Sequence, residues 1–394
     1  MDSINPFKGS WGIYDASLNE PLIRFDPFRS YLTSNNIKIG FLSTISSLRL
    51  LRPDEFSPPP STKDFPPFSD SSSVFINIVQ GNLPAIVIQK DTESYQSIFS
   101  TSPKSELLTQ HKALSIINMF SPQSRTSSGT YPSQGLSLVH FPTTFSSNFS
   151  SLTFSDIHHL FLTTKHSHLK VIQEYSSVRP KSPLSISHFF NIGPSTGASI
   201  SHIHSQSYFS FLSPYSGLHT HAFSESAKQW SEKHQNRCFA CCLTQNSNDT
   251  LDLFNQPLNF ASRVFYENAD WVAFLAFAPE RDYHIRILPK SHCTHFHLLT
   301  DSQLSSLATL FYYCHSVLDY VSEIAASMLR LNKDRNILFR QSPLNSDFYP
   351  FHLVIDILPF QPIGGAEIMD SFRIVSLIPE QSVVEIKNYL KSLK

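Results

Sequence analysis

Cysteine is nearly absent from this 394-residue sequence, which has five, none of them in the first 237 residues. A secreted disulfide-stabilised protein would not leave more than half of its length without a cross-link, so that class is excluded. Glycine is also scarce, at 11 residues. No apolar run approaches the ~20 residues that a membrane helix needs. No long basic run is present either, which argues against a nucleic-acid polymer or an anionic membrane as a partner.

The opening segment, "MDSINPFKGSWG", lacks the basic and apolar regions of a secretory signal. The net charge is −1 at pH 7, and hydrophobic residues make up 41% of the chain. A chain of this length and composition can bury sizeable cores, and two domains or one duplicated domain are expected. We therefore expect a soluble protein of the cytoplasm.

Composition shifts divide the chain into two halves. Residues 53–73, "PDEFSPPPSTKDFPPFSDSSS", are rich in proline and serine and predict an extended loop. A second such segment covers 121–134. The segment that leads to the cysteines has a short helical pattern near 227–233. The predicted domains are residues 1–215 and 216–394.

Two segments of the chain repeat each other. "LVHFPTTFSSNFSSLTFSDIHHLF" starts at Leu138 and "IRILPKSHCTHFHLLTDSQLSSLATLF" starts at Ile285, and they align without a gap on Pro142 and Pro289. An apolar or β-branched run ends at each proline, as at the end of a strand. The other matched pairs are Phe149 with Phe296, Leu152 with Leu299, Thr153 with Thr300, and Leu160 with Leu307.

A helix follows each of these strands. Thr300 and Gln303 have the spacing of a capping box at the start of the second helix. The helical stripe continues over Leu304, Leu307, Phe311, Cys314, Leu318, Val321, Ala325 and Met328. The sequence therefore predicts a tandem repeat of strand, loop, helix and strand, and a histidine follows the second strand of each repeat.

The two halves differ at the positions that carry chemistry. His202 aligns with His352, since their distances from Thr153 and Thr300 are similar. The differing positions are His204 against Val354, Gln206 against Asp356, and Phe145 against His292.

The motif Cys238-x-x-Cys241 in the second half indicates a metal site. Its spacing lets one turn of chain present two thiolates to one ion. His292, after the strand end "LPKSH", and His352, in "FHLVIDI", would complete a closed tetrahedral site. Two sulfur and two nitrogen ligands favour one structural zinc ion per chain. The alternatives are Cys242 in place of Cys241, His284, His295 or His297 in place of His292, or reduced thiols without a metal.

A nucleophile is predicted in the first half. The H-x-H pattern of His202 and His204 is weak by itself, because it occurs four times in this histidine-rich chain. The preceding "GPSTGAS" is more informative, since small residues let backbone N–H groups approach a phosphate. In a strand, His202, His204 and Gln206 would project to one face.

The stretch "NIGPSTGASISHIHSQ" resembles the N-x-G-x-x-x-G-A-S-x-x-H-P-H-x-Q signature of the galactose-1-phosphate uridylyltransferases, a branch of the histidine-triad superfamily with two such domains in one chain. The segments "AKQWSEKHQNRCFACC", "DWVAFLAFAPERDYHIRILPKSH", "FHLVIDILP" and "GGAEI" extend the resemblance. It covers roughly residues 135–390. It implies an α+β fold of tandem duplicated histidine-triad-like domains, with antiparallel sheets and packed helices.

The resemblance also implies roles for single residues. His204 would be the catalytic nucleophile, supported by His202 and by Gln206 on the phosphoryl oxygens. Such a histidine attacks the α-phosphorus of a nucleoside-diphosphate sugar, and a second sugar phosphate then removes the nucleotidyl group. The implied substrate-binding residues are Asn191, Gly197, Ser199 and Glu367. A homodimer with a role in galactose or carbohydrate metabolism is also implied.

The sequence departs from the family pattern in ways that keep other functions open. Ile203 replaces the usual proline, and the first half lacks the cysteines that hold zinc in many relatives. Nucleotidyl transfer to a hexose 1-phosphate is the first hypothesis. Phosphorolysis of ADP-glucose or of a dinucleoside polyphosphate is the second, and an inactive nucleotide-binding or scaffolding relative is the third. His204 and Gln206 argue against the third.

Overall fold

The structure is a computed structural model. It describes residues 22–34, 38–45, 85–90, 95–100, 109–117, 135–178, 183–198, 200–210, 218–245, 251–370 and 372–393. The predicted loops at 53–73 and 121–134 lie outside the described residues. Among the described residues, no helix has both the length and the hydropathy that crossing a bilayer requires.

Antiparallel strands form the framework of the molecule. Within the described residues, one sheet has eleven strands and a second has three. The strands are β1 Leu22–Leu32, β2 Lys38–Ile45, β3 Ala85–Lys90, β4 Tyr95–Ser100, β5 Ala113–Ile117, β6 Gly135–Pro142, β7 Ser185–Ile192, β8 Ser205–Ser210, β9 Val264–Glu267, β10 Trp271–Leu275, β11 Ile285–Pro289, β12 Arg335–Arg340, β13 Val354–Pro359 and β14 Arg373–Val375.

Helices pack on the sheet and at its ends. They are α1 Phe154–Val178, α2 Leu218–Lys233, α3 Phe239–Gln245, α4 Phe260–Arg263, α5 Asp301–Ile324, α6 Ala326–Leu329, α7 Gly365–Asp370 and α8 Pro379–Ser392. This mixture of helices with sheets that are antiparallel, except for the parallel β2–β14 pair, confirms the predicted α+β class.

The strand order reveals a pseudo-twofold arrangement. In the large sheet the order is β4-β3-β5-β6-β8-β7-β12-β13-β11-β10-β9. The β7–β12 pair joins the two halves in antiparallel register. Outward from it, β8, β6, β5 and β3 correspond in order to β13, β11, β10 and β9, while β4 has no counterpart among the described strands. One-turn 3-10 helices occur at Phe149–Ser151 and Phe296–Leu298, at the offset that separates Pro142 from Pro289. The repeat predicted from the sequence is therefore confirmed.

The second repeat helix shows why the pattern folds as predicted. Thr300 and Gln303 form the expected capping box at the start of α5. The stripe residues from Leu304 to Ala325 are buried between α1 and the sheet. The stripe ends earlier than predicted, because α5 stops at Ile324 and Met328 is 56% exposed.

The segment between the halves contains more helix than the sequence indicated. The pattern near 227–233 is the end of α2, which starts at Leu218. The predicted domain boundary at 215 lies outside the described residues. The sheet itself continues from one half to the other, and the division into domains 1–215 and 216–394 stays a prediction.

Candidate functional site

His204 has the geometry of a nucleophile whose tautomer is fixed. Its side chain is buried, and Nδ1 lies 2.8 Å from the carbonyl oxygen of His202. Because a carbonyl can only accept, Nδ1 must carry the proton and donate it, which leaves the lone pair on Nε2. Burial lowers the pKa of His204 below its ordinary value. The ring is therefore neutral near pH 7, as an attack on phosphorus requires.

His202 is held from both sides of its ring. Nε2 donates to the carbonyl oxygen of Pro142 at 2.8 Å, so Nδ1 is the acceptor. The backbone N–H of Ser146 donates to that Nδ1 at 3.2 Å. The ring of Phe145 stacks on the imidazole, with 5.2 Å between ring centroids and 19° between planes. Burial lowers the pKa of His202 to about 4.

The two histidines do not lie in a strand, so the prediction that they project from one was wrong. β8 begins at Ser205, and both histidines precede it. The reason is that this segment bonds to the loop after β6, where the N–H of Ile203 donates to the carbonyl oxygen of Ser146 at 2.7 Å. His202 thus supports His204 through its backbone carbonyl rather than through its ring.

The small-residue segment forms a tight turn beside Asp334. Gly193 has φ +83°, and a Cβ there would lie 1.9 Å from Oδ1 of Asp334, so both the backbone and the space require glycine. The N–H of Ser195 donates to Oδ2 of Asp334 at 2.8 Å. Gly197 has φ +87° and ends the one-turn helix Pro194–Thr196. Ser199 lies outside the described residues.

Asn191 is fixed by a residue that sequence reasoning missed. Its Oδ1 accepts from Nδ2 of Asn336 at 2.8 Å, across the β7–β12 pair at the pseudo-twofold axis. Asp334 was missed as well. Both residues lie in "KDRNILF", at the start of the strand that corresponds in the repeat to the strand holding Asn191. That correspondence was the available signal, but the sequence does not show that β7 and β12 are neighbours.

Gln206 lies on the face of the sheet opposite α1. Its Oε1 accepts from the Tyr208 hydroxyl at 3.0 Å. Gln206 pairs with Phe189 on β7, Phe189 pairs with Leu338 on β12, and Leu338 pairs with Asp356 on β13. Gln206 and Asp356, which align in the repeat, therefore lie in one row across the sheet on either side of the pseudo-twofold axis.

The equivalent face of the second half is filled with charged side chains from β1. Asp26 and Asp356 both accept from the Arg286 guanidinium, at 2.8 Å and 2.7 Å. Arg29 pairs with Asp26 and with Glu280, each at 2.6 Å. These five side chains are buried. The arginines lower the pKa of Glu280 to about 2 against the effect of burial, and this face is occupied by the protein itself.

Four side chains form a candidate metal site in the second half. The thiols of Cys238 and Cys241 and a ring nitrogen each of His292 and His352 lie within 4.8 Å of one another. Cys241 Sγ is 3.5 Å from Nδ1 of His292. Of the alternatives, Cys242 points into the core. His284 binds Asp356, while His295 and His297 are elsewhere, beside each other.

The donor set fits a metal ion. Nε2 of His352 donates to the carbonyl oxygen of Pro289 at 2.9 Å, which fixes the tautomer and turns a bare Nδ1 to the cluster. That Nδ1 is buried and has no hydrogen-bond partner. Hydrogen bonds from Cys241 first, and from His292, hold the pKa of Cys238 well below its ordinary value. A thiolate beside a bare imidazole nitrogen is what a closed S2N2 site provides.

Three buried histidines form a second cluster, in the core between α1 and the sheet. One ring nitrogen each of His140, His168 and His188 lies 2.7–3.0 Å from the Ser207 hydroxyl. That hydroxyl can accept two of these hydrogen bonds and donate the third. Ser115 binds the other nitrogen of His140 at 2.5 Å. Hydrogen bonds thus satisfy the nitrogens that face the centre, and no carboxylate or thiolate of the described residues joins the cluster to balance an ion's charge.

Glu367 has a local structural role in this chain. Its side chain is buried, and it accepts from the backbone N–H groups of Gly364 at 2.7 Å and Ile374 at 3.1 Å. These bonds join the start of α7 to β14. The predicted contact of Glu367 with a substrate sugar remains a prediction.

Comparison with known proteins extends the resemblance. A family model for the HIT domain matches residues 258–336. No curated protein matches the chain significantly.

Solved structures share the fold over most of the chain. A GalT-like protein from Arabidopsis thaliana is 20% identical, with a TM-score of 0.62, over 94% of this chain and 99% of that one. An ADP-glucose phosphorylase from Arabidopsis thaliana, solved with bound ADP-glucose, is 21% identical, with a TM-score of 0.65, over 93% and 99%. A uridylyltransferase is 22% identical, with a TM-score of 0.56, over 71% and 85%. The fold that the resemblance implied is thus confirmed, and a HIT domain is found within residues 258–336.

Proposed function

We propose that this chain, which has the GalT-like fold and a HIT domain, is a nucleotidyltransferase that uses His204 as its nucleophile. The observation that carries the proposal is the 2.8 Å bond from His204 Nδ1 to the His202 carbonyl. It directs the Nε2 lone pair away from the backbone in a ring that burial keeps neutral. The substrate class is a nucleoside-diphosphate sugar.

The reaction has two displacement steps. In the first, His204 Nε2 attacks the α-phosphorus, an N–P bond forms, and the P–O bond to the sugar 1-phosphate breaks. The bond from Nδ1–H to the His202 carbonyl stabilises the positive charge that the ring gains. In the second, an acceptor phosphate oxygen attacks phosphorus, and the N–P bond breaks to restore the neutral imidazole.

Protein groups around His204 stabilise the transferred phosphoryl group. The N–H groups of Ser195, Thr196 and Gly197 already bond to protein oxygens, so we assign the donor to its oxygens to the side-chain amide of Gln206. Asn191 and Gly197 lie in the same region, and we extend the substrate-binding role to Ser199. The packing that Gly193 makes with Asp334 sets the position of the turn.

The acceptor decides between two activities. A hexose 1-phosphate as acceptor gives a hexose-1-phosphate uridylyltransferase-like enzyme. Inorganic phosphate as acceptor gives an ADP-glucose phosphorylase, and the fold match to such an enzyme with bound ADP-glucose favours this candidate equally. A dinucleoside polyphosphate could be cleaved by the same route. The fixed tautomer of His204 counts against an inactive relative.

We further propose one structural zinc ion on Cys238, Cys241, His292 and His352. When bound, the ion would cross-link α3 to the ends of β11 and β13 and would supply no open position for chemistry. A homodimer in which Glu367 approaches the partner's substrate sugar, and a place in the cytoplasm and in galactose metabolism, stay predictions from the resemblance.

A covalent-adduct experiment tests the function. The purified protein is incubated with UDP-glucose, ADP-glucose or a GDP-sugar, and the mass of the intact protein is measured by mass spectrometry. One nucleotidyl group per chain is expected with at least one donor, and hexose 1-phosphate or inorganic phosphate should then remove it. His204→Asn should form no adduct. His221→Asn, which changes an exposed histidine, is the matched control and should react like the wild type.

Two outcomes would contradict the proposal. Either no donor labels the wild type, which leaves the inactive-relative hypothesis, or the His204→Asn variant is labelled as fully as the wild type.

A further inference from the structure

The described part of the first half keeps the shape of the candidate metal site of the second half, but no cysteine or carboxylate among its described residues joins His202 there. His202 and His352 are equivalent, and their Nε2 atoms donate to Pro142 and Pro289 at 2.8 and 2.9 Å. The next residue of each half, Ile203 or Leu353, donates its N–H to the preceding loop at 2.7 Å. Both loops are therefore built on the same backbone frame.

The two frames differ at the Nδ1 side of the histidine. In the second half, Nδ1 of His352 faces the Cys/His cluster and has no hydrogen-bond partner. In the first half, Nδ1 of His202 instead accepts the Ser146 N–H at 3.2 Å. The lone pair of His202 Nδ1 thus accepts a peptide N–H, whereas the equivalent lone pair of His352 is available to bind a metal ion.

A phenyl ring replaces the adjacent ligand. His292 lies 5.3 Å from His352, with 45° between ring planes. At the equivalent position Phe145 lies 5.2 Å from His202 and is nearly parallel to it, at 19°. Phe145 is 51% exposed, and its ring stacks on that of His202. The ring of Phe145 thus occupies, beside His202, the place that the His292 ring has beside His352.

We propose that Phe145, together with the Ser146 N–H, substitutes for a metal ion in the first half and positions the His202 carbonyl that orients His204. Phe145 is a positioning residue, which acts through His202 and does not touch the reacting phosphorus. This inference rests on the proposed function, since it concerns the orientation of its nucleophile. It implies that a metal ion in the second half is dispensable for the chemistry.

The first test compares variants at Phe145 by the rate of adduct formation. Phe145→Ala and Phe145→Leu should slow labelling about 10- to 100-fold, because a loosened nucleophile loses its alignment. Phe145→Tyr keeps the stacked ring, so the nucleophile stays aligned, and its labelling rate should lie within about threefold of the wild-type rate. Phe154→Ala is the matched control, since Phe154 is 47% exposed and packs on Tyr312 instead.

A second measurement does not depend on activity. In protein labelled with ¹⁵N-histidine, the His204 ring should show a single Nδ1–H tautomer by NMR, identified by the signals lost in His204→Asn. Phe145→Ala should give a mixture of tautomers, whereas Phe154→Ala and a chelator-treated, still folded wild type should not. If no donor labels the wild type, the proposed function fails, while this measurement still decides the inference.

The inference is overturned if Phe145→Ala keeps both the labelling rate and the single tautomer. It is also overturned if the wild type holds two metal ions per chain and one is lost with His202→Asn, since the first half would then bind a metal.

Discussion

At the residue scale, the Ser207 hydroxyl organises three imidazoles in the core of the first half. His140, His168 and His188 all bond to it and are fully or almost fully buried. Burial lowers the pKa of each ring well below its ordinary value. The cluster is therefore a neutral network whose stability depends on one small side chain.

Ser207→Ala should destabilise the protein because it leaves at least one buried imidazole N–H without an acceptor. The expected loss is about 1–3 kcal/mol in the free energy of unfolding, measured by urea denaturation. Ser210→Ala, in the same strand but partly exposed, is the control and should change it by less than about 0.5 kcal/mol. Equal stability of the two variants would show that the network contributes nothing.

At the element scale, β1 attaches to the second half through buried charges. Asp26 lies between Arg29 and Arg286, and Arg286 also binds Asp356. The arginines hold the pKa values of the carboxyl groups below their ordinary range, against the effect of burial. The strand thus depends on charge pairing as well as on apolar contact.

This pairing predicts a loss of stability in acid. Each carboxyl has a lower pKa in the folded than in the unfolded state, so its contribution is complete above the unfolded value and is lost as the pH falls. For Glu280 the window runs from its ordinary 4.5 down to about 2. Thermal melting temperature against pH should fall steeply there.

The variant Asp26→Asn tests whether the same pairs carry this effect. It leaves buried arginines short of a partner and should cost about 3–5 kcal/mol at neutral pH. Glu267→Gln breaks the exposed pair with Lys290 and should cost at most about 1 kcal/mol. A fall in melting temperature no larger for Asp26→Asn than for Glu267→Gln would contradict this account.

The metal site also belongs to the element scale, because it would tie α3 to two strands. Chelation or Cys241→Ser should remove one zinc ion per chain and lower the melting temperature, while the labelling rate per folded molecule stays unchanged. Metal content is measured by plasma mass spectrometry, with Cys242→Ala as the control that keeps the ion. A metal-free preparation that melts like the untreated protein would count against the site.

At the scale of the whole molecule, the two halves carry different features at equivalent positions. The first half has His204 and an accessible face around Gln206. The second half has Val354 at the nucleophile position and a face filled by Asp26 and Arg286. The pseudo-twofold axis at β7 and β12 makes these faces neighbours on one sheet, so contributions of both halves meet at Asn191 and Asn336.

This division predicts one reactive site per chain and contributions of the second half to it. Asn336→Ala, which removes the partner of Asn191, should slow nucleotidyl labelling about tenfold, as for a misplaced substrate-positioning group. The adduct should never exceed one nucleotidyl group per chain. Lys333→Ala, which removes an exposed ion pair with Glu323, serves for comparison. Equal labelling rates for both variants and the wild type would show that the second half does not contribute to the reaction through Asn336.

The predicted homodimer is a separate test at this scale. Light scattering should give twice the mass of the chain. Glu367→Gln keeps one acceptor for its backbone partners and should preserve that mass. A monomer with full labelling activity would show that the assembly implied by the resemblance does not apply here.

The sequence by itself determined the repeat, the fold class and the candidate residues. The aligned prolines, the capping box and the apolar stripe of α5 are local patterns, and each follows from the spacing of residues in one element. The S2N2 set could be named because a C-x-x-C motif needs partners and the repeat supplied two histidines.

Only the tertiary structure decided how the halves share one sheet and what replaces the metal in the first half. Strand neighbours such as β7 and β12 are distant in sequence, so no local pattern shows that Asn336 reaches Asn191. Placing His202 and His204 before β8 depended on a backbone bond to Ser146, a residue more than fifty positions earlier in the chain. The filling of the second face by β1 was equally hidden, because buried ion pairs join residues whose charges, read alone, predict a solvent-exposed surface.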